Sequence, residues 1–178
     1  IISKLHNEDG SVAIPGFYDR IPELTQEERA RIASNPTSDE EILEITGSPL
    51  IYGEKGYSPL ERQGARPTLD VNGIYSGFIG EGAKTIIPAY AKAKISCRLV
   101  PNQDAMEIYE LAKEYILSIA PPTVKTEVFL HSAGPAYLAD DAPGAQNLVD
   151  ALTAVWNKPV VYKREGGSIP VATVMQRE

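Results

Sequence analysis

Histidine and cysteine are scarce: 178 residues include two histidines and one cysteine. A single thiol, Cys97, cannot close an internal disulfide, and an unpaired cysteine suits a reducing compartment, so the cytoplasm is the expected location. His6 and His131 each lack a second ligand at helical or hairpin spacing, which argues against a metal site built from this chain alone. No run of about 18 apolar residues is present to cross a bilayer. No charged-then-apolar leader precedes a small-residue cleavage site. Basic residues nowhere cluster: 17 Lys and Arg stand against 24 Asp and Glu, for a net charge of −7. Nucleic acids and anionic membranes therefore lack the patch that would neutralise their phosphates. Repeats and low-complexity runs are also missing.

What is present is ordinary globular material, 43% hydrophobic, long enough for one domain and part of another. The chain opens on Ile1-Ile2-Ser3-Lys4-Leu5, which reads as the last turns of a helix, and closes on Gln176-Arg177-Glu178 just after a new helix has begun, so both ends are expected to be cuts in a larger protein. Ser11 to Ile14 reads as a short strand stopped by Pro15-Gly16. Thr25 to Glu28 and Ser38 to Glu41 both read as capping boxes opening helices. From Gly47 to Pro67, glycines and prolines recur among polar residues, predicting a long surface excursion without a packed element.

A sheet follows. Leu69, Val71 and Gly73 alternate with Asp70 and Asn72, and Ala91, Ala93, Ile95, Cys97 and Leu99 alternate with Lys92, Lys94, Ser96 and Arg98, giving each strand a dry and a wet face. Asp104 caps a helix with Ile108, Leu111, Ala112, Tyr115, Ile116 and Ile119 on one stripe, ended by Pro121-Pro122. A strand is expected over residues 124–131. Strand, helix and strand with a right-handed crossover, packed on antiparallel neighbours, predict an α+β fold: a two-layer, ferredoxin-like sandwich with helices on one face of an antiparallel sheet. After about residue 135 the pattern changes to an amphipathic helix (Ala145, Leu148, Val149, Leu152, Val155, Trp156), a short apolar strand (Val160, Val161, Tyr162) and a turn into another helix. That is the edge of an α/β domain, so residues 1–135 and 136–178 are expected to be separate units, the first with an insertion at about 18–66.

Several segments invite a chemical reading. Gly77 to Thr85 resembles a phosphate-binding loop, but Ala83 intrudes between the last glycine and Lys84. The following Thr85-Ile86-Ile87-Pro88 cannot open the helix such a loop requires, so the glycines are assigned to a hairpin or a close backbone approach. Cys97 falls on the dry face and reads as a core residue. Ser168 lacks the G-x-S-x-G context of a hydrolase nucleophile. Glu165-Gly166-Gly167-Ser168-Ile169-Pro170 places small residues and a hydroxyl before a helix start, which suits a carboxylate or simply a serine cap. Arg98, on the wet face, is either a two-point carboxylate clamp or a solvated strand residue.

These segments resemble, in order, the carnosinase and aminoacylase type of zinc metallopeptidase, peptidase family twenty. The matching stretches are Ser11 to Asp19, Val71 to Ile74, Gly80 to Pro88, Arg98 to Gln103 and Arg164 to Pro170, spread over nearly the whole chain. The likeness is strongest to the cytosolic dipeptidase branch. The resemblance implies a dimerising lid of ferredoxin-like fold inserted in a catalytic domain that holds two zinc ions. It also implies that the metal ligands, the general base and the lid's first strand lie outside this chain, which alone would be inactive.

By position, the resemblance makes Arg98 the clamp on the substrate carboxylate and Gly167 with Ser168 the loop that binds the same end. Thr85 stands where other branches place an Asn that meets the substrate's carbonyl, and His131 matches a histidine lining the substrate pocket. The expected partners are a second copy, through the lid, the rest of the catalytic domain, and a peptide or acyl-amino-acid substrate. The competing readings are a free-standing ferredoxin-like module that binds a small carboxylated ligand, and an inactive family member acting as a scaffold.

Overall fold

The computed structural model describes residues 1–134 and 144–164. After a 3-10 turn at Ile2–Lys4 come the helices α1 (Gln26–Ala33), α2 (Asp39–Thr46) and α3 (Pro59–Ala65), the strands β1 (Thr68–Ser76) and β2 (Ala91–Arg98), then α4 (Ala105–Ser118) and α5 (Ala145–Trp156). The fold is thus α+β, with a two-stranded antiparallel sheet among the described residues.

Helix starts follow local chemistry. The Thr25 hydroxyl accepts from the Glu28 amide while the Glu28 carboxylate accepts from the Thr25 amide, a complete capping box. At Ser38 only half of the expected box forms: its hydroxyl accepts from the Glu41 amide, and α2 opens without the reciprocal bond. Asp104 accepts from both the Met106 and Glu107 amides at 2.9 Å.

The excursion at 47–67 differs from expectation, because it contains α3, opened by a third capping box, Ser58 with Glu61, and a proline in its first turn. Glu61 is buried, yet satisfied by Arg29 at 2.8 Å and the Ser58 amide at 2.6 Å. Farther along, Arg66 donates through Nε and Nη2 to the Glu54 carboxylate at 2.9 and 2.6 Å. The same guanidinium stacks on the rings of Tyr18 and Tyr57. Gly10 lets the excursion close onto the N-terminal turn: its φ is +82°, and a Cβ there would lie 2.6 Å from the Gly53 carbonyl carbon.

The core lies between one face of the β1–β2 hairpin and α4. Leu5, Val12, Ile14 and Phe17 close it from the N-terminal segment, against Leu69 from β1 and Ile108 and Ile116 from α4. Gln103 ties these parts together from a buried position, donating to the Phe17 carbonyl at 2.8 Å and accepting from the Val100 amide at 3.0 Å. Residues 11–14, expected to be a strand, make a single bridge, His6 with Val12.

The strands pair Leu69 with Cys97 and Val71 with Ile95, but a register shift between Val71 and Gly73 then sets Gly73 against Lys94 and Ile74 against Ala93. Asn72 is therefore a bulge, and the face that carries Leu69 and Val71 continues at Ile74 in place of Gly73, already outside the core. Beyond the bulge the hairpin projects from the core, with Ile74 and Tyr75 exposed.

Residues 124–131 form no strand among the described residues. Val128 packs on the core, and its carbonyl accepts from the Tyr109 hydroxyl at 3.4 Å, but a strand also needs a neighbour to complete its ladder. The helix expected after residue 144 is present as α5, with Leu148, Leu152, Val155 and Trp156 exposed. The short strand expected at Val160, Val161 and Tyr162 is unpaired for the same reason as 124–131.

Candidate functional site

Arg98 is the last residue of β2 and pairs with Thr68, the first of β1. Alternation turns its neighbours Cys97 and Leu99 to the core and leaves Arg98 exposed. The nearest carboxylate along that end of β1, Asp70, is engaged by the Thr68 hydroxyl at 2.8 Å. Among the described residues no hydrogen bond or ion pair holds the Arg98 side chain. A planar guanidinium fork on a strand end, with its donors open, can take a carboxylate in two-point fashion.

Thr85 sits in the exposed loop of residues 77–90 that joins β1 to β2, so the glycines of that loop serve a hairpin. Its base is drawn together by the Ser76 hydroxyl, which donates to the Tyr90 carbonyl at 3.3 Å, and by Tyr75 stacked on Tyr90 with centroids 6.0 Å apart. The loop rejoins the sheet at Ala91, seven residues along β2 from Arg98, or about 23 Å at strand rise. A dipeptide spans about 7 Å at most. The loop that carries Thr85 therefore leaves the sheet at the end of the hairpin opposite Arg98.

His131 is exposed and lies past the unpaired stretch at 124–130. Gly167 and Ser168 lie outside the described residues. The chain just before them is placed: Arg164 donates to Glu28 at 3.1 Å, and Arg31 lies over the Tyr162 ring at 5.3 Å. Sequence reasoning missed this contact with α1. The one local signal was the capping glutamate itself, which has a second carboxylate oxygen to offer.

Cys97 is partly buried against the core. Burial, and after it the charge of Asp70, push its thiol up to about 11, so it stays protonated near neutral pH and behaves as a small apolar residue. No three His, Cys, Asp or Glu side chains gather into a possible metal site among the described residues, so the zinc that the resemblance implies finds no fitting ligand set here. Nor is any described helix long and apolar enough to cross a membrane.

Over its whole length the chain is 32% identical to a Cys-Gly metallodipeptidase of Candida albicans, covering 38% of that protein. Among solved structures, it matches an M20 family metallo-carboxypeptidase of Sulfolobus solfataricus with a TM-score of 0.78 and 30% identity, over 99% of this chain and 40% of that one. A di-peptidase of Saccharomyces cerevisiae matches with a TM-score of 0.76 and 28% identity, over 98% of this chain and 37% of that one. The chain thus spans well under half the length of these relatives. Residues 1–124 match the peptidase dimerisation domain as a family. With that match covering most of its length, the chain belongs to the M20 peptidase dimerisation-domain family.

Proposed function

We propose that this chain is the lid of a metal-dependent dipeptidase or related amidohydrolase, and that it grips substrate while pairing two copies of the enzyme. The observation that carries this reading is the hairpin, with an open guanidinium at one end and an exposed loop bearing Thr85 at the other. One dipeptide cannot reach both ends, but two active sites can each use one. In a dimer, Arg98 serves the substrate carboxylate in its own subunit's site and Thr85 donates to the scissile carbonyl in the partner's. Holding the far end of the peptide fixes its orientation, and a donor at the carbonyl stabilises charge that develops there.

In this reading residues 1–135 are the lid and 136–178 a part of the catalytic domain. The lid is ferredoxin-like, with residues 124–131 completing the sheet beside a strand from outside the described residues. Gly167 and Ser168 join Arg98 at the carboxylate, and His131 lines the pocket. Two zinc ions, held by residues outside those described, supply a Lewis acid and an activated water when bound. A cytoplasmic enzyme suits the unpaired Cys97.

Metal content and dipeptidase activity, measured side by side for this chain and for the full-length polypeptide, test the assignment. Zinc and activity in the full-length protein alone are expected. Zinc-dependent activity in the chain itself would place the chemistry elsewhere than proposed. Inactivity in both, with tight binding of a dipeptide by the chain, would favour the carboxylate-binding module, and inactivity without binding the scaffold. Dimerisation is expected through the open edge of the hairpin and the adjacent helix, because an unpaired edge leaves backbone donors and acceptors that a second copy can satisfy. Sedimentation should show a dimer at tens of micromolar or below. A monomer at that concentration would remove the two-site account of Thr85.

A further inference from the structure

Strand β2 ends at Arg98, and the chain changes direction within two residues. Continued alternation would turn Val100 outward with Arg98, yet Val100 is only 5% exposed. One residue holds that change of direction. Both backbone groups of Val100 are bonded to Gln103: the Val100 carbonyl accepts from the Gln103 amide at 3.3 Å, and the Val100 amide donates to Gln103 Oε1 at 3.0 Å. The turn so closed carries Asn102 at a φ of +74°, in the left-handed region that Asn enters more readily than most residues. Gln103 Nε2 then donates to the carbonyl of buried Phe17 at 2.8 Å. Gln103 is itself 6% exposed, so a bond lost there is not made good by solvent. On its other side Arg98 has the last rung of the ladder, opposite Thr68. Its side chain is held by no hydrogen bond or ion pair among the described residues, so the backbone on either side sets where the guanidinium starts.

We propose that Gln103 is a positioning residue for Arg98: by tying Val100 to the Phe17 carbonyl, it fixes where β2 ends and so where the guanidinium meets the substrate carboxylate. The inference rests on the reading of Arg98 given under Proposed function. Gln103 acts through the backbone, since its burial keeps it from substrate.

The readout is the ratio of kcat/KM for Cys-Gly to kcat/KM for its C-terminal amide, in the full-length enzyme. Lost stability or lost metal lowers both rates and cancels, whereas a displaced clamp lowers only the first. Gln103→Glu keeps an acceptor for the Val100 amide but, when ionised, has no donor for the Phe17 carbonyl. At about pH 8 it is expected to lower the ratio about tenfold, the scale of a small misplacement of a binding group. Burial and the facing carbonyl oxygen raise the pKa of such a carboxyl, and its proton restores the donor, so the ratio should climb back toward the parent value at about pH 6. The charged groups that share a small cleft with Gln103 are Arg20, paired with Glu107 at 2.7 Å, and Asp104, engaged by two helix amides. They are the same in the parent, so a recovery seen only in the variant belongs to the new carboxyl. Asn102→Val strains the same turn from an exposed position, without burying a charge, and should lower the ratio at both pH values.

Arg98→Ala is the reference, giving the ratio of an enzyme without the clamp. If it lowers the ratio while Gln103→Glu and Asn102→Val keep the parent value, or lower both rates equally, Gln103 serves stability alone. The positioning role is then overturned and the lid reading stands. If Arg98→Ala leaves the ratio unchanged, the clamp itself is wrong, and the role of Gln103 in placing it falls with that reading.

Discussion

Replacing Glu54 with alanine is expected to lower the unfolding free energy by about 3 kcal/mol, the cost of removing one partner from a buried ion pair. The Glu54 and Arg66 side chains are 13% and 9% exposed, and their two parallel hydrogen bonds leave little guanidinium edge to solvent. Burial works against the charge on Arg66, but the hydrogen bonds and charge of Glu54 outweigh it, and the guanidinium is held charged more firmly than usual. Without Glu54 that charge stays buried with only the faces of Tyr18 and Tyr57, at 4.5 and 4.3 Å, to offset its desolvation.

The loss extends beyond the pair, because Arg66 joins the excursion to Tyr18, whose hydroxyl accepts from the Val12 amide of the core segment. In urea, with a slope of about 2 kcal/mol per molar, the midpoint should fall by about 1.5 M. Glu54→Gln, which keeps an acceptor, should lose less. The double change Glu54→Leu with Arg66→Met should recover most of the stability, since well-packed apolar residues often replace a buried pair without loss. A midpoint shift near zero for Glu54→Ala would mean that the aromatic faces alone hold Arg66.

Arg98→Ala is expected to reduce kcat/KM for a free dipeptide about 100-fold in the full-length enzyme, as two charge-assisted hydrogen bonds at about 1.5 kcal/mol each would require. The urea midpoint of the chain should not move, because Arg98 is exposed and no described residue depends on it. Arg98→Lys should restore only part of the activity, since an ammonium keeps the charge and loses the fork. The C-terminal amide of the same dipeptide should show little change. Equal losses on both substrates would assign Arg98 to something other than the carboxylate.

Helix starts were legible because capping is local: a hydroxyl or carboxylate and an amide two or three residues on decide it, as at Thr25 and Asp104. The same chemistry was written at Ser58 and Glu61, but the surrounding glycines and prolines outweighed it, and α3 went unread. Alternation correctly turned Cys97 inward and Arg98 outward, but it left Arg98 as either a clamp or a solvated residue, and only the family resemblance chose between them. It could not foresee the Asn72 bulge, because a one-residue shift depends on how the partner strand is registered. Nor could it predict the unpaired state of residues 124–131, since a strand's hydrogen bonds belong to its neighbour as much as to itself.

The candidate site divides along the same line. The α+β class, the caps at Thr25 and Asp104 and the outward face of Arg98 follow from residue order, because each depends on neighbours within a turn or on a short period, while the family followed from a resemblance of segments spread along the whole chain. The placing of Arg98 and the Thr85 loop at opposite ends of one hairpin, the clasp of Arg66 on Glu54 between two tyrosines, and the tie from Glu28 to Arg164 across 136 positions depend on the folded chain. A charged group's partner is chosen by distance and burial in space, and residue order leaves both open until the core has formed.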